Sequence, residues 1–211
     1  MNTQTGYLLV VEDTLDILGL LDAALKFKGY RVQTARNGED ALEIIQKEHP
    51  ALIIADILMP KMDGFSLVHR LRISPETRGI PVVFLSATYV TPEDKAFALS
   101  LGATRFVEKP VDLGTFLPII EKILTQGAYA VPEPLNEYDF YDGYRKRLEI
   151  KMGQKNTQIL RDERLLESLS EAEKPAFKKS LHQAIDEREE IQKLLAQVRE
   201  RLETVTKPKV E

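Results

Sequence analysis

The chain has 211 residues, a length that suits one or two domains. Its 43% hydrophobic and 29% charged content is ordinary for a globular protein, and a formal net charge of −4 leaves no basic excess for nucleic acid or an anionic membrane surface. The absence of cysteine removes disulfides, thiol nucleophiles and cysteine-based zinc sites together.

There is no apolar run long enough to span a bilayer, and Met1–Asp13 has neither a basic leader nor a small-residue cleavage site. These features lead us to expect a cytoplasmic protein without a membrane partner. Within residues 1–125, short apolar runs alternate with helical patterns. Tyr7–Val11, Arg31–Ala35, Ala51–Ala55, Val82–Leu85 and Arg105–Val107 are the expected strands. The first, third and fourth lack polar alternation, as central parallel strands buried on both faces do. Helices are expected over Thr14–Lys28, Gly38–Gln46, Phe65–Ile73, Pro92–Leu101 and Leu113–Leu124, with apolar residues three to four apart. Gly29 and Gly102 stand where left-handed caps end two of them. Pro118 suits the last helix if that helix starts near Thr115, which puts the proline in the first turn. The alternation gives an α/β domain with a doubly wound, five-stranded parallel sheet.

In such a sheet, ligands bind beyond the carboxyl ends of the strands. The first expected strand runs into Glu12 and Asp13, the third into Asp56, the fourth into Ser86, and Lys109 follows the fifth. Clustered carboxylates raise one another's pKa unless a cation joins them, and hard oxygen ligands select Mg²⁺, with Mn²⁺ as a substitute. A lysine and a serine beside that ion suit the equatorial oxygens of a phosphoryl group. The chemistry expected is phosphoryl transfer to a carboxylate, with Asp56 on the central strand as acceptor.

Five motifs in order carry a family resemblance: Val10-Val11-Glu12-Asp13, Asp56 to Gly64, Leu85-Ser86-Ala87, Phe106 and Lys109-Pro110. Residues 5–125 resemble the receiver domain of two-component response regulators. The resemblance implies a flavodoxin-like sheet of order 2-1-3-4-5 and a phosphoryl group passed to Asp56 from a sensor histidine kinase or phosphotransfer protein. It also implies Mg²⁺ held by Glu12, Asp13, Asp56 and the backbone carbonyl of Leu58. Ser86 and Lys109 would contact the phosphoryl oxygens, Phe106 would be the switch aromatic coupled to Ser86, and Lys109–Pro110 would be cis. Gly64 is expected to serve a tight turn after the third strand. His49, His69 and His182 lack metal-site spacing and are expected at the surface or in helix packing.

Gln126–Leu135, with Pro132 and Pro134, is the expected linker. The segment beyond it, 136–211, is expected to be all-α. From Phe177 apolar positions recur at 181, 184, 191, 195, 198, 202 and 205, with Arg188 the polar exception in a heptad seam. Ser170–Glu173 matches a capping box for this helix. Asn136–Leu169 also reads helical, though Lys155 and Asp162 interrupt its seam and Gly143 and Gly153 weaken it. A helical hairpin or coiled coil that makes a homodimer is expected, with acidic residues of a facing helix pairing Arg188. The functional expectation is a phosphorelay response regulator with no separate catalytic output, acting on an unidentified downstream protein. The alternative is a tail that regulates transcription or antitermination by binding nucleic acid. Residues 126–211 carry 16 Lys and Arg against 17 Asp and Glu, which disfavours that alternative.

Overall fold

The computed structural model describes residues 6–127, 131–170 and 174–205. The chain divides into two compact units, one up to Leu135 and one from Asn136. In the first unit β1 (Leu8–Val11), β2 (Val32–Ala35), β3 (Leu52–Asp56), β4 (Val82–Ser86) and β5 (Arg105–Glu108) alternate with five helices. These are α1 (Leu15–Phe27), α2 (Gly38–Lys47), α3 (Gly64–Ile73), α4 (Pro92–Ser100) and α5 (Leu113–Gln126). All strand pairs are parallel and the order is β2-β1-β3-β4-β5.

Every residue of β1, β3 and β4 is buried, which explains their unbroken apolar runs. Leu8, Val10, Leu52, Ile54, Val83 and Leu85 point to one face, where Leu21 and Leu25 of α1 and Phe116, Ile120 and Ile123 of α5 cover them. On the other face the Phe65 ring of α3 meets Phe84 at 5.4 Å and Phe97 of α4 at 5.2 Å, both edge-on. The strand register sets the carboxyl ends side by side. Val11 lies beside Ala35 and Ala55, Asp56 beside Leu85, and Ser86 beside Glu108.

Local signals mark the helix ends. Asn37 and Asp63 accept the backbone N–H groups of Asp40 and Ser66 at 3.0 and 2.9 Å, and Thr91 and Asp94 form a capping box. Gly29 and Gly102 have φ of +87° and +91°, as their cap positions require. Two expectations need correction. Helix α5 starts at Leu113, capped by Asp112, so Pro118 lies in its second turn. The missing N–H of Pro118 frees the carbonyl of Gly114, and both residues are exposed, so water can take that bond. Gly64 is the first residue of α3 and its φ is not positive. A Cβ there would stand 2.2 Å from the Asp56 carbonyl oxygen, so glycine lets α3 begin against the end of β3.

The second unit is α6 (Glu137–Ser168) and α7 (Lys174–Thr204), each about 48 Å long at 1.5 Å per residue. Asn136 caps α6 by accepting the Asp139 N–H at 2.9 Å. The helices run antiparallel, since Glu149 pairs with Arg199 at 2.9 Å and Lys155 with Glu187 at 2.6 Å. Ile159 packs with Leu181 and Ala184 between them. Lys155 thus interrupts the apolar seam without loss because Glu187 meets it. Leu181, Ala184, Ile191, Leu195 and Val198 are buried within the single chain, while Arg188 Nε is buried with no hydrogen-bond partner among the described residues. That Nε meets no acidic group among the described residues of the chain, and the partner expected for it belongs to a second copy. Glu171 to Glu173 of the expected capping box lie outside the described residues.

Two glycines test this account in opposite directions. Gly64→Ala should lose about 1–3 kcal/mol of stability, because backbone must move to admit the methyl group. Gly153 sits exposed in α6 with open space around an added Cβ, so Gly153→Ala should gain about 0.5–1 kcal/mol. Urea unfolding of both variants checks the pair.

Candidate functional site

Glu12, Asp13, Asp56, Ser86 and Lys109 all arrive at the carboxyl edge of the sheet because each ends or follows a strand. Glu12 continues β1, its N–H donating to the Ala35 carbonyl at 3.1 Å, and Lys109 continues β5, its N–H donating to the Ser86 carbonyl at 3.0 Å. The backbone ladder therefore fixes where these side chains start. Lys109 Nζ donates to Glu12 Oε2 and to Asp56 Oδ2, both at 2.7 Å. Glu12 is fully buried and Asp56 only 8% exposed, so this bridge lies in a weakly screened interior. Asp56 Oδ1 accepts the Ile57 N–H at 2.7 Å, and Glu12 Oε1 accepts the Thr14 N–H at 3.2 Å.

Carboxylate oxygens of Glu12, Asp13 and Asp56 lie within 4.8 Å of one another. Three carboxylates against one ammonium leave two negative charges uncompensated, and hard oxygen donors of that charge fit a small divalent cation. Leu58 is half-buried two residues beyond Asp56, in the loop that leaves β3. Lys61 in the same loop has φ +64°, an uncommon conformation for a residue with a side chain, and the Met62 carbonyl there accepts the Gly38 N–H at 2.9 Å.

Burial pushes the Asp56 carboxyl up to about 6, and Glu12 adds to the rise, while Lys109 and the Ile57 N–H pull it back. Burial works against the Lys109 charge, but Asp56 and Glu12 outweigh it and hold the ammonium above its ordinary value.

Ser86 is buried, and its hydroxyl oxygen accepts the N–H groups of Thr88 at 3.2 Å and Tyr89 at 3.0 Å. It is thus engaged with the loop after β4. Tyr89 is fully buried, its ring 5.2 Å from that of Phe65. Phe106 is half-buried on β5 with the Lys95 ammonium 5.9 Å from its ring centre, and Lys95 also pairs with Glu108. The Lys109–Pro110 peptide is cis. His69 is buried, with Nε2 3.0 Å from the Leu135 carbonyl, so it ties the segment after α5 to α3. Helical spacing puts His69 in helix packing but gives no hint of this bond, since a carbonyl 66 residues away leaves no local signal. Tyr89 is equally silent in the sequence, because its tie to Ser86 runs through its backbone.

Residues 8–121, more than half of the chain, match the response regulator receiver domain family. The chain belongs to that family. Its curated relatives include the response regulator PleD of Caulobacter vibrioides, 39% identical over 105 residues, which span 50% of this chain and 23% of that protein. The "Probable transcriptional regulator ycf27" of Cyanophora paradoxa is 41% identical over 103 residues, or 49% of this chain and 41% of the relative. The chain spans less than half the length of the ycf27 relatives it matches. Among solved structures, the chemotaxis response regulator CheY4 of Vibrio cholerae is 32% identical with a TM-score of 0.53, covering 57% of this chain and 99% of its own. The chain therefore carries a receiver domain of two-component systems, followed by a helical extension. Among the described residues no helix is long and apolar enough to cross a membrane.

The raised carboxyl makes a stability prediction. The unfolded carboxyl titrates near 3.8 and the native one at about 6, so native protein binds the extra proton between these values. Stability attributable to Asp56 therefore falls as pH rises through that window and is flat above it. In chelator, Asp56→Asn should be more stable than the parent by about 1–3 kcal/mol at pH 8, and the gain should vanish near pH 4. Urea unfolding at pH 4, 6 and 8 measures it.

Proposed function

We propose that the protein is a phosphorylation-controlled switch whose acceptor is Asp56. The observation that carries this reading is the Lys109 bridge between Glu12 and Asp56, beside a third carboxylate on Asp13. An oxygen of the Asp56 carboxylate forms a bond to phosphorus as the phosphorus–nitrogen bond of a phosphohistidine breaks, and the electron pair returns to the imidazole of a sensor kinase or phosphotransfer protein. Glu12, Asp13 and Asp56, with the Leu58 carbonyl, would hold Mg²⁺. When bound, the ion neutralises charge on the transferring oxygens. Lys109, already 2.7 Å from Asp56 Oδ2, takes up a second share of that charge. The receiver catalyses its own phosphoryl transfer, and the chain has no separate catalytic output.

Transmission begins at Ser86. Its hydroxyl accepts the Thr88 and Tyr89 amides and keeps its own proton for a phosphoryl oxygen, so a shift of Ser86 toward that oxygen draws the loop before α4 with it. Phe106 then turns inward, away from the Lys95 ammonium. The output is a protein–protein surface on the α6–α7 hairpin, with a second copy of the chain as its partner. Ile150, Leu160 and Leu165 of α6, which are 44–55% exposed, support this. Because Leu195 and Val198 are buried within one chain, an acidic residue at position 195 should open the hairpin itself as well as dissociating a dimer.

With acetyl phosphate and Mg²⁺ the protein should gain one acid- and base-labile phosphoryl group that hydroxylamine removes, read by intact mass. Asp56→Asn and Asp13→Ala should each abolish it, whereas Lys109→Ala should keep Mg²⁺ binding and lose the loop response. Labelling that survives Asp56→Asn would overturn the assignment. Sedimentation of the full chain at tens of micromolar should report a dimer, and a monomer would remove self-association from the reading.

A further inference from the structure

Arg72, in the last turn of α3, is the bulkiest fully buried side chain of the described residues, at 2% exposure. No carboxylate of the described residues forms an ion pair with it. Its Nε and Nη2 both donate to the Gly102 carbonyl, at 3.3 and 2.9 Å, while Nη1 is buried without a hydrogen-bond partner. Burial lowers its pKa to about 10, which still leaves the guanidinium charged at neutral pH. A Cβ on Gly102 would stand 2.7 Å from Arg72 Nε and 3.3 Å from Val131 Cγ1, so the guanidinium and the segment after α5 meet at this glycine. A cavity of about 230 Å³ opens beside them, lined by Arg72, Arg78, Gly79 and residues 131–134. Arg78 is exposed, and so is Glu133, which forms no ion pair with either arginine.

We propose that this cavity binds a phosphate-class oxyanion, held by Arg78 at the mouth and by the charge of Arg72 beneath it. A buried cation without a carboxylate partner is costly, and an anion in the cavity beside it offsets that charge. The exposed Arg78 guanidinium can meet two oxyanion oxygens, and the cavity far exceeds the roughly 30 Å³ share of one water. Glu133, a negative charge on the same wall, weakens anion binding by repulsion. Because residues 131–134 form that wall, an occupied site fastens the segment after α5 to α3. The site is separate from the Asp56 cluster and does not depend on its assignment.

The test is calorimetric titration of the full chain with inorganic phosphate, and separately with glycerol 3-phosphate, in chelator and at ionic strength matched with NaCl. Saturable binding in the millimolar range is expected. Arg78→Gln should weaken it by about fivefold, the scale of one lost partly exposed ion pair. Glu133→Gln should tighten it, and both variants should keep acetyl phosphate labelling of Asp56. Binding of phosphate alone supports a free ion as the ligand, and binding of both supports the phosphoryl group of a larger molecule. Absence of a saturable signal above the NaCl control, an unchanged affinity in Arg78→Gln, or loss of binding in Glu133→Gln would each overturn the proposal.

Discussion

The Lys109 ammonium, 2.7 Å from both Glu12 and Asp56, is the interaction on which the carboxyl edge of the sheet depends. Two buried carboxylates at the ends of adjacent strands repel, and in a poorly screened interior that repulsion is severe. One ammonium from the far edge strand makes the arrangement tolerable without neutralising it. The remaining negative charge, shared with Asp13, suits the edge to a small divalent cation. Stability and function pull in opposite directions here, since the Asp56 carboxyl is held up to about 6 by the same burial that shapes the site.

The surrounding backbone serves that edge. Parallel pairing sets β1, β3, β4 and β5 in register, so residues far apart in sequence leave the sheet side by side. Gly64 lets α3 start against the Asp56 carbonyl, and Asp63 caps that start, so the loop carrying Leu58 and Lys61 is short and tightly tied. On the other flank Ser86 holds the loop after β4 through two backbone amides. The site therefore has a firm floor of strands and two loops that hydrogen bonds restrain.

The second unit is held together differently. Its helices are highly charged, and their pairing combines a narrow apolar seam with cross-helix ion pairs such as Lys155–Glu187. Arg188 remains a polar group in that seam without an acidic partner among the described residues. Polar seam positions tend to define register at some loss of stability, and the antiparallel alignment of α6 and α7 is where that role would fall.

Hydrophobic patterning in the sequence determined the strands, the helices and the edge on which Glu12, Asp13, Asp56, Ser86 and Lys109 gather, because unbroken apolar runs and three-to-four spacing are local properties. Helix ends were legible for the same reason at Gly29 and Gly102, whose caps reach only a few residues. Pro118 escapes the first-turn rule because the Gly114 carbonyl that it frees is open to solvent, and exposure is not written in the local pattern. Only the tertiary structure decided that Lys109 bridges two carboxylates, that the Ser86 hydroxyl faces its own loop, and that Arg72 is buried against Gly102. Likewise the heptad seam of α7 and a helical hairpin could be read from spacing, but not that Ile159 and Lys155 of α6 would meet Leu181 and Glu187. Each of these depends on which distant groups share a small, dry volume, and chain order carries no measure of that.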